Sequence, residues 1–73
     1  MRSAQAAQRA ESLTERERDV AVELARGASN AEIAERLYMS LATVKAHISH
    51  IFTKLDATNR VQVAICMHDA GLA

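Results

Sequence analysis

The chain contains no proline and no tryptophan, and only one tyrosine, one phenylalanine, one cysteine and two glycines in 73 residues. Each shortage removes a class of structure. Without proline, nothing in the sequence obliges a helix to break. With only Gly27 and Gly71 there is no glycine-rich loop to cradle a phosphate. Cys66 has no second cysteine for an internal disulfide. No apolar run approaches the ~20 residues that cross a bilayer, and no signal-peptide pattern opens the chain. A membrane is therefore not an expected partner, and a reducing, cytoplasmic setting is expected. The formal net charge is zero, so the overall basic balance of a strong standalone nucleic-acid binder is missing too.

What remains is rich in good helix formers, with β-branched residues at helical rather than alternating spacing. Thr14 and Glu17 form a capping box ahead of the stripe Val20, Ala21, Leu24 and Ala25, and Gly27 supplies a left-handed position after the last turn. Ser29 and Glu32 repeat the box before Ile33, Ala34 and Leu37. Tyr38 and Met39 are too few to be anything but a tight turn. Ser40 caps a third helix, and Asn59 with Gln62 a fourth that ends near Ala70 and Gly71. The predicted fold is all-α, a compact four-helix bundle with helices over about 15–26, 30–37, 41–55 and 60–70. A domain this small buries only about 60% of the surface its unfolded chain exposes, so its stability is expected to be modest. Residues 1–12 show no apolar periodicity and read as a linker or frayed helical lead-in, leaving 13–73 as the domain. On that reading the chain is the end piece of something larger.

The third helix carries the functional signal. Leu41, Val44, Ile48, Ile51 and Leu55 share one face, at steps of three, four, three and four. The opposite side holds Ala42, Ala46, Ser49, His50 and Thr53 with no acid among them, flanked by Lys45, His47 and Lys54. A helix oily on one side and smooth, polar and faintly basic on the other suits a DNA major groove, about 12 Å wide. An eight-residue helix, a short turn and a longer helix also form the outline of a helix-turn-helix unit. Ser40, Ala42 and Thr43 would let the helix tip come close to phosphate. Charge is segregated in the same sense. Residues 11–36 hold seven acids against four arginines, whereas residues 40–60 hold Lys45, Lys54 and Arg60 against Asp56 alone.

Other constellations are empty. No nucleophile–base pair, paired carboxylate or metal cluster is visible, so an enzyme, a cofactor, a bound metal and a small-molecule ligand are not expected. His47 and His50 lie three apart on different sides of the helix and are too few for zinc. His47 is expected at the seam between helix and DNA backbone, with His50 exposed or near phosphate. Cys66 reads as a small buried hydrophobe. The last helix has more apolar surface than one core face needs. Val63, Ala64 and Met67 lie on one side and Val61, Ile65 and His68 on the next, so one set can close the core and the other can meet a second copy. A competing reading is a protein-interaction bundle that contacts RNA polymerase or another regulator without reading DNA. The neutral charge and the acidic first helix fit it tolerably.

The segments LTERE, GASNAEIAERL, S-x-x-TVKAHISHIFTKL and NRVQVA, with a terminal GL, closely resemble the DNA-binding domain of LuxR-type regulators, the output module of the NarL/FixJ class of response regulators. The match runs from Leu13 to about Leu72. The resemblance implies a sequence-specific output domain of a two-component transcriptional regulator, binding double-stranded DNA half-sites as a dimer. It implies base contacts at Lys45, Ala46 and Ser49 and phosphate contacts at Ser40, Thr43 and Lys54, beside the DNA proximity already read for His50. It also implies dimerisation through the last helix, for which Val61, Ile65 and His68 are the candidates, with RNA polymerase a further candidate partner. A receiver domain phosphorylated on Asp is implied upstream. An ion pair between Glu17 and Arg60 is suggested by the same pattern. Two positions depart from it. Ser49 is shorter than the Lys or Asn of some relatives, which weakens base discrimination there. Tyr38 stands at a turn site often given to Gly, and because a positive φ is costly for Tyr, an unstrained turn is expected.

Overall fold

A computed structural model describes residues 4–72. These hold five helices: α1 (Ala4–Glu11), α2 (Glu15–Ala25), α3 (Asn30–Leu37), α4 (Leu41–Lys54) and α5 (Arg60–Asp69). There is no strand among the described residues. The four helices read from the sequence are present to within a residue at each end, and α1 is an addition.

Each of α2 to α5 starts where a short polar side chain takes an orphan amide. The Thr14 hydroxyl accepts from the Glu17 amide while the Glu17 carboxylate accepts from the Thr14 amide, and Ser29 and Glu32 do the same. Ser40 caps α4 by accepting from the Thr43 amide at 3.1 Å. Asn59 caps α5 through the Gln62 amide, but Gln62 reaches back to Thr58 rather than to Asn59, so this last box is open by one residue.

The ends share a device as well. After α2, α3, α4 and α5 the chain turns through a left-handed residue, respectively Gly27 (φ 88), Tyr38 (φ 56), Asp56 (φ 53) and Gly71 (φ 78). In each case the next amide returns to a carbonyl five residues back: Ala28 to Glu23, Met39 to Ala34, Ala57 to Phe52 and Leu72 to Met67, all between 2.8 and 3.1 Å. This closes orphan carbonyls at these four exits. It also overturns the expected unstrained turn at Tyr38. The helix exit needs the left-handed geometry, and the residue adopts it at a cost of about 1 kcal/mol relative to glycine.

Val20, Ile33, Val44, Ile51, Val63 and Met67 are wholly buried, together with Leu13, Ala21, Leu24, Ala28, Leu55 and Ala57. They form one core, with α2 at its centre packed against α3, α4 and α5. Arg36 adds ion pairs at 3.6 Å to Glu23 on α2 and Glu32 on α3, half-exposed and therefore of small weight.

Within the segment read as a linker or helical lead-in, residues 4–11 form α1, while residues 1–3 lie outside the described residues. Ala6 and Ala10, one turn apart, are buried against Ala70 and Cys66 and make a second small cluster on α5. Alanine is the best helix former and lets two backbones approach closely. It carries too little apolar surface for its spacing to register as a core stripe. Among the described residues one ion pair holds α1, Arg9 to Asp56 at 3.9 Å, and it is solvent-exposed.

The two clusters predict a graded response to substitution. Ile51→Ala should lower the unfolding free energy by about 2–4 kcal/mol in urea titrations. Ala10→Glu should detach α1 at a cost of no more than about 1–2 kcal/mol, with the far-ultraviolet helical signal reduced but cooperative unfolding retained. Equal losses from the two changes would mean that α1 belongs to the main core.

Candidate nucleic-acid interface

The first buried residue of α4 is Val44. Leu41, Ala42 and Thr43 before it are all exposed, so the opening turn of the helix projects beyond the body of the domain. Farther along, Lys45, Ala46, Ser49, His50 and Thr53 face outward, His47, Ile48 and Phe52 are half-buried, and Ile51 and Leu55 close the core. The outward strip has no acidic residue. The helix has 14 residues, about 21 Å at 1.5 Å per residue. Leu41, at 44% exposed, is the one member of the expected inner face that does not go inside.

At the tip, the Ser40 hydroxyl accepts from the Thr43 amide and donates to Thr43 Oγ1 at 2.9 Å. The Thr43 hydroxyl proton is left to donate outward. The helix dipole and the free amides of this first turn favour an anion in the same place. Among the described residues no hydrogen bond or ion pair engages Lys45.

The C-terminal half of α4 is fastened differently. Lys54 Nζ lies 2.7 Å from Glu17 Oε1, and His50 Nδ1 lies 3.6 Å from Glu17 Oε2. The Glu17 side chain is only 5% exposed. Burial alone would push its carboxyl up. The Lys54 ammonium together with the Thr14 amide and hydroxyl outweighs that and holds it below the ordinary glutamate value. Glu32 is also held low, by the Ser29 amide and hydroxyl and the nearby Arg36 charge. Lys54 therefore already has an internal partner, which the sequence reading did not assign to it. The expected Glu17–Arg60 pair is absent. Arg60 instead donates to Asn30 Oδ1 at 3.0 Å and to the Ala28 carbonyl, because the loop from Asp56 to Asn59 delivers it beside the connection between α2 and α3.

A further contact was not legible in the sequence. Arg16 on α2 donates to the Leu37 carbonyl at 2.9 Å and pairs with Asp19 at 3.5 Å, so α2 braces the turn between α3 and α4. No local pattern signals a contact 21 residues apart.

On α5, Val63 and Met67 go into the core while Val61 is 67% and Ile65 55% exposed, with His68 exposed one turn on. This decides which side of α5 faces outward. Cys66 is partly buried rather than enclosed, between the two clusters, and burial pushes its thiol up. Among the described residues no group of three or more His, Cys, Asp or Glu could hold a metal ion, and no helix is long and apolar enough to cross a membrane.

A short helix, a braced turn and a longer helix that buries one side and exposes the other define a helix-turn-helix domain. Comparison with known proteins agrees. Residues 11–67 match the family described as bacterial regulatory proteins, luxR family, and the chain belongs to that family. It is 45% identical over 58 residues to the transcriptional regulatory protein LiaR of Bacillus subtilis, covering 80% of this chain and 28% of that protein. It is 53% identical over 53 residues to the transcriptional regulatory protein LnrK of the same organism, covering 73% and 24%. It is 42% identical over 64 residues to the response regulator protein VraR of Staphylococcus saprophyticus, covering 88% and 31%. The chain thus spans less than a third of the length of these relatives.

The lowered carboxyls set a direction for pH dependence. Their contribution to stability is complete above the unfolded glutamate value, about 4.3, and is lost as pH falls through the lower folded values. Glu17→Gln should cost about 1.5 kcal/mol at pH 7 and flatten the acid limb of stability against pH below about 4.5, read from urea midpoints. An acid limb unchanged from the parent domain would remove Glu17 from the account.

Proposed function

We propose that this domain is the sequence-specific DNA-binding output domain of a bacterial transcriptional regulator, with α4 seated in the major groove. The observation that carries the reading is the projecting, acid-free outer face of α4. A helix about 10–12 Å across matches a groove about 12 Å wide, and an acidic residue on that face would repel the phosphates. Lys45, Ala46 and Ser49 face the bases. Ser40 and Thr43 meet phosphate at the helix tip, and His50 lies beside the backbone. Lys54 serves Glu17 first. An ammonium has three donors, so a phosphate can take another.

The name of VraR as a response regulator, and the fraction of each relative that the chain spans, support placing this domain downstream of a phosphoacceptor receiver in a cytoplasmic two-component regulator. The outward strip of Val61, Ile65 and His68 supports a two-fold dimer through α5, its two domains reading half-sites about one helical turn apart. RNA polymerase is a further partner in this reading.

Only cationic side chains release counterions, so Lys45 and Lys54 together give a log–log salt slope of about −2 per domain. Lys45→Ala should weaken binding to a preferred duplex by about 1–3 kcal/mol and relax discrimination at one base position, measured by fluorescence anisotropy against preferred and shuffled duplexes. Unchanged affinity and unchanged preference would contradict the groove assignment and favour a surface that meets protein. Ile65→Glu should leave binding to a single half-site intact and abolish cooperative occupancy of two, as seen by sedimentation of the complexes. Cooperative binding that survives the change would move the dimer contact off α5.

A further inference from the structure

Tyr38 is at two disadvantages, and among the described residues no contact of its side chain offsets either. Its backbone sits at φ 56, a region where a Cβ is crowded and glycine or asparagine is favoured. Its side chain is 96% exposed, so the ring removes almost no apolar surface from water. Among the described residues the phenol has no hydrogen-bond partner. The turn is closed without it, by the Met39 amide on the Ala34 carbonyl and by Arg16 on the Leu37 carbonyl, both at 2.9 Å. A residue that strains the backbone and packs on nothing is of use outside the domain.

Its place shows where. Tyr38 precedes the Ser40 cap by two residues and stands next to the exposed turn of Leu41, Ala42 and Thr43. A group just outside the tip of a helix lying in the major groove overlooks the groove's bank, which is phosphate and sugar rather than base edge. Tyrosine matches that surface. Its ring covers the apolar face of a deoxyribose, and its hydroxyl donates to an anionic phosphate oxygen. Because Arg16 braces the turn from α2, the ring is carried on a supported position.

From this we infer that Tyr38 is a sequence-independent contact to the DNA backbone at the edge of the groove, held outward by its left-handed conformation. The inference rests on α4 being the groove helix, and the test separates the two. The domain and its Tyr38→Gly, Tyr38→Phe and Lys45→Ala variants are titrated with a duplex selected from a random library by the parent domain, and with a shuffled duplex. The melting temperature of each protein is recorded alongside. Tyr38→Gly is expected to melt at or above the parent temperature, yet to bind both duplexes roughly tenfold more weakly. Tyr38→Phe should lose a smaller factor, equal on the two duplexes, while Lys45→Ala narrows the preference between them. If Tyr38→Gly binds like the parent while Lys45→Ala is impaired, the Tyr38 contact is refuted and the groove reading stands. A Tyr38→Gly domain that binds weakly and also melts well below the parent would show that the ring serves the fold, and would overturn the inference. If the parent selects no sequence and Lys45→Ala changes nothing, both readings fail together.

Discussion

Glu17 carries its charge where the domain offers it almost no water, and the geometry around it follows from that constraint. A buried carboxylate must be matched by hydrogen bonds and an opposite charge, and here each match ties down a different part of the chain. The Thr14 amide fixes the start of α2. The Lys54 ammonium holds the far end of α4 against the same point, with His50 close by. One side chain thus sets where α2 begins and how α4 lies across it. The orientation of the helix proposed to enter DNA depends on a carboxylate that faces inward.

With α4 anchored at its C-terminal end, its other end is free to project. Burial along the helix is uneven. Ile51 and Leu55 are enclosed near the anchor and Val44 deeper along, but the turn before Val44 is exposed. Support reaches that tip indirectly, through the Schellman-type exit of α3 and the Arg16 contact to Leu37. A rigid element held at its root with its tip bare is a physical requirement for reaching into a groove that the rest of the domain cannot enter.

The periphery is built more lightly. The small alanine cluster between α1 and α5 sits apart from the main core, and an exposed ion pair links α1 to the loop after α4. Beside it α5 shows Val61 and Ile65 to solvent. Secure core and lightly held rim divide the molecule into the part that sets the shape of the proposed interface and the part available to neighbouring chain or a second copy.

Local rules were legible in the sequence wherever both partners sit within a turn of each other. Thr14 with Glu17, Ser29 with Glu32 and Ser40 with Thr43 announce helix starts because the cap and its amide are three residues apart. The periodicity of Val44, Ile51 and Leu55 marks the inner side of α4 because burial repeats with the helix. The acid-free outer face was visible for the same reason. Hidden were the features whose partners are distant in sequence or weak in hydrophobicity: the alanine seat of α1, the choice of Lys54 over Arg60 by Glu17, the Arg16 brace, the outward side of α5 and the left-handed Tyr38. The residues alone therefore determined which segments are helical and which face of α4 stays polar, since those follow from contacts within one or two turns. Only the packed structure decided which charge Glu17 keeps and which apolar residues remain in water, because the nearest neighbour of a side chain across a helix interface is settled by the path of the whole chain.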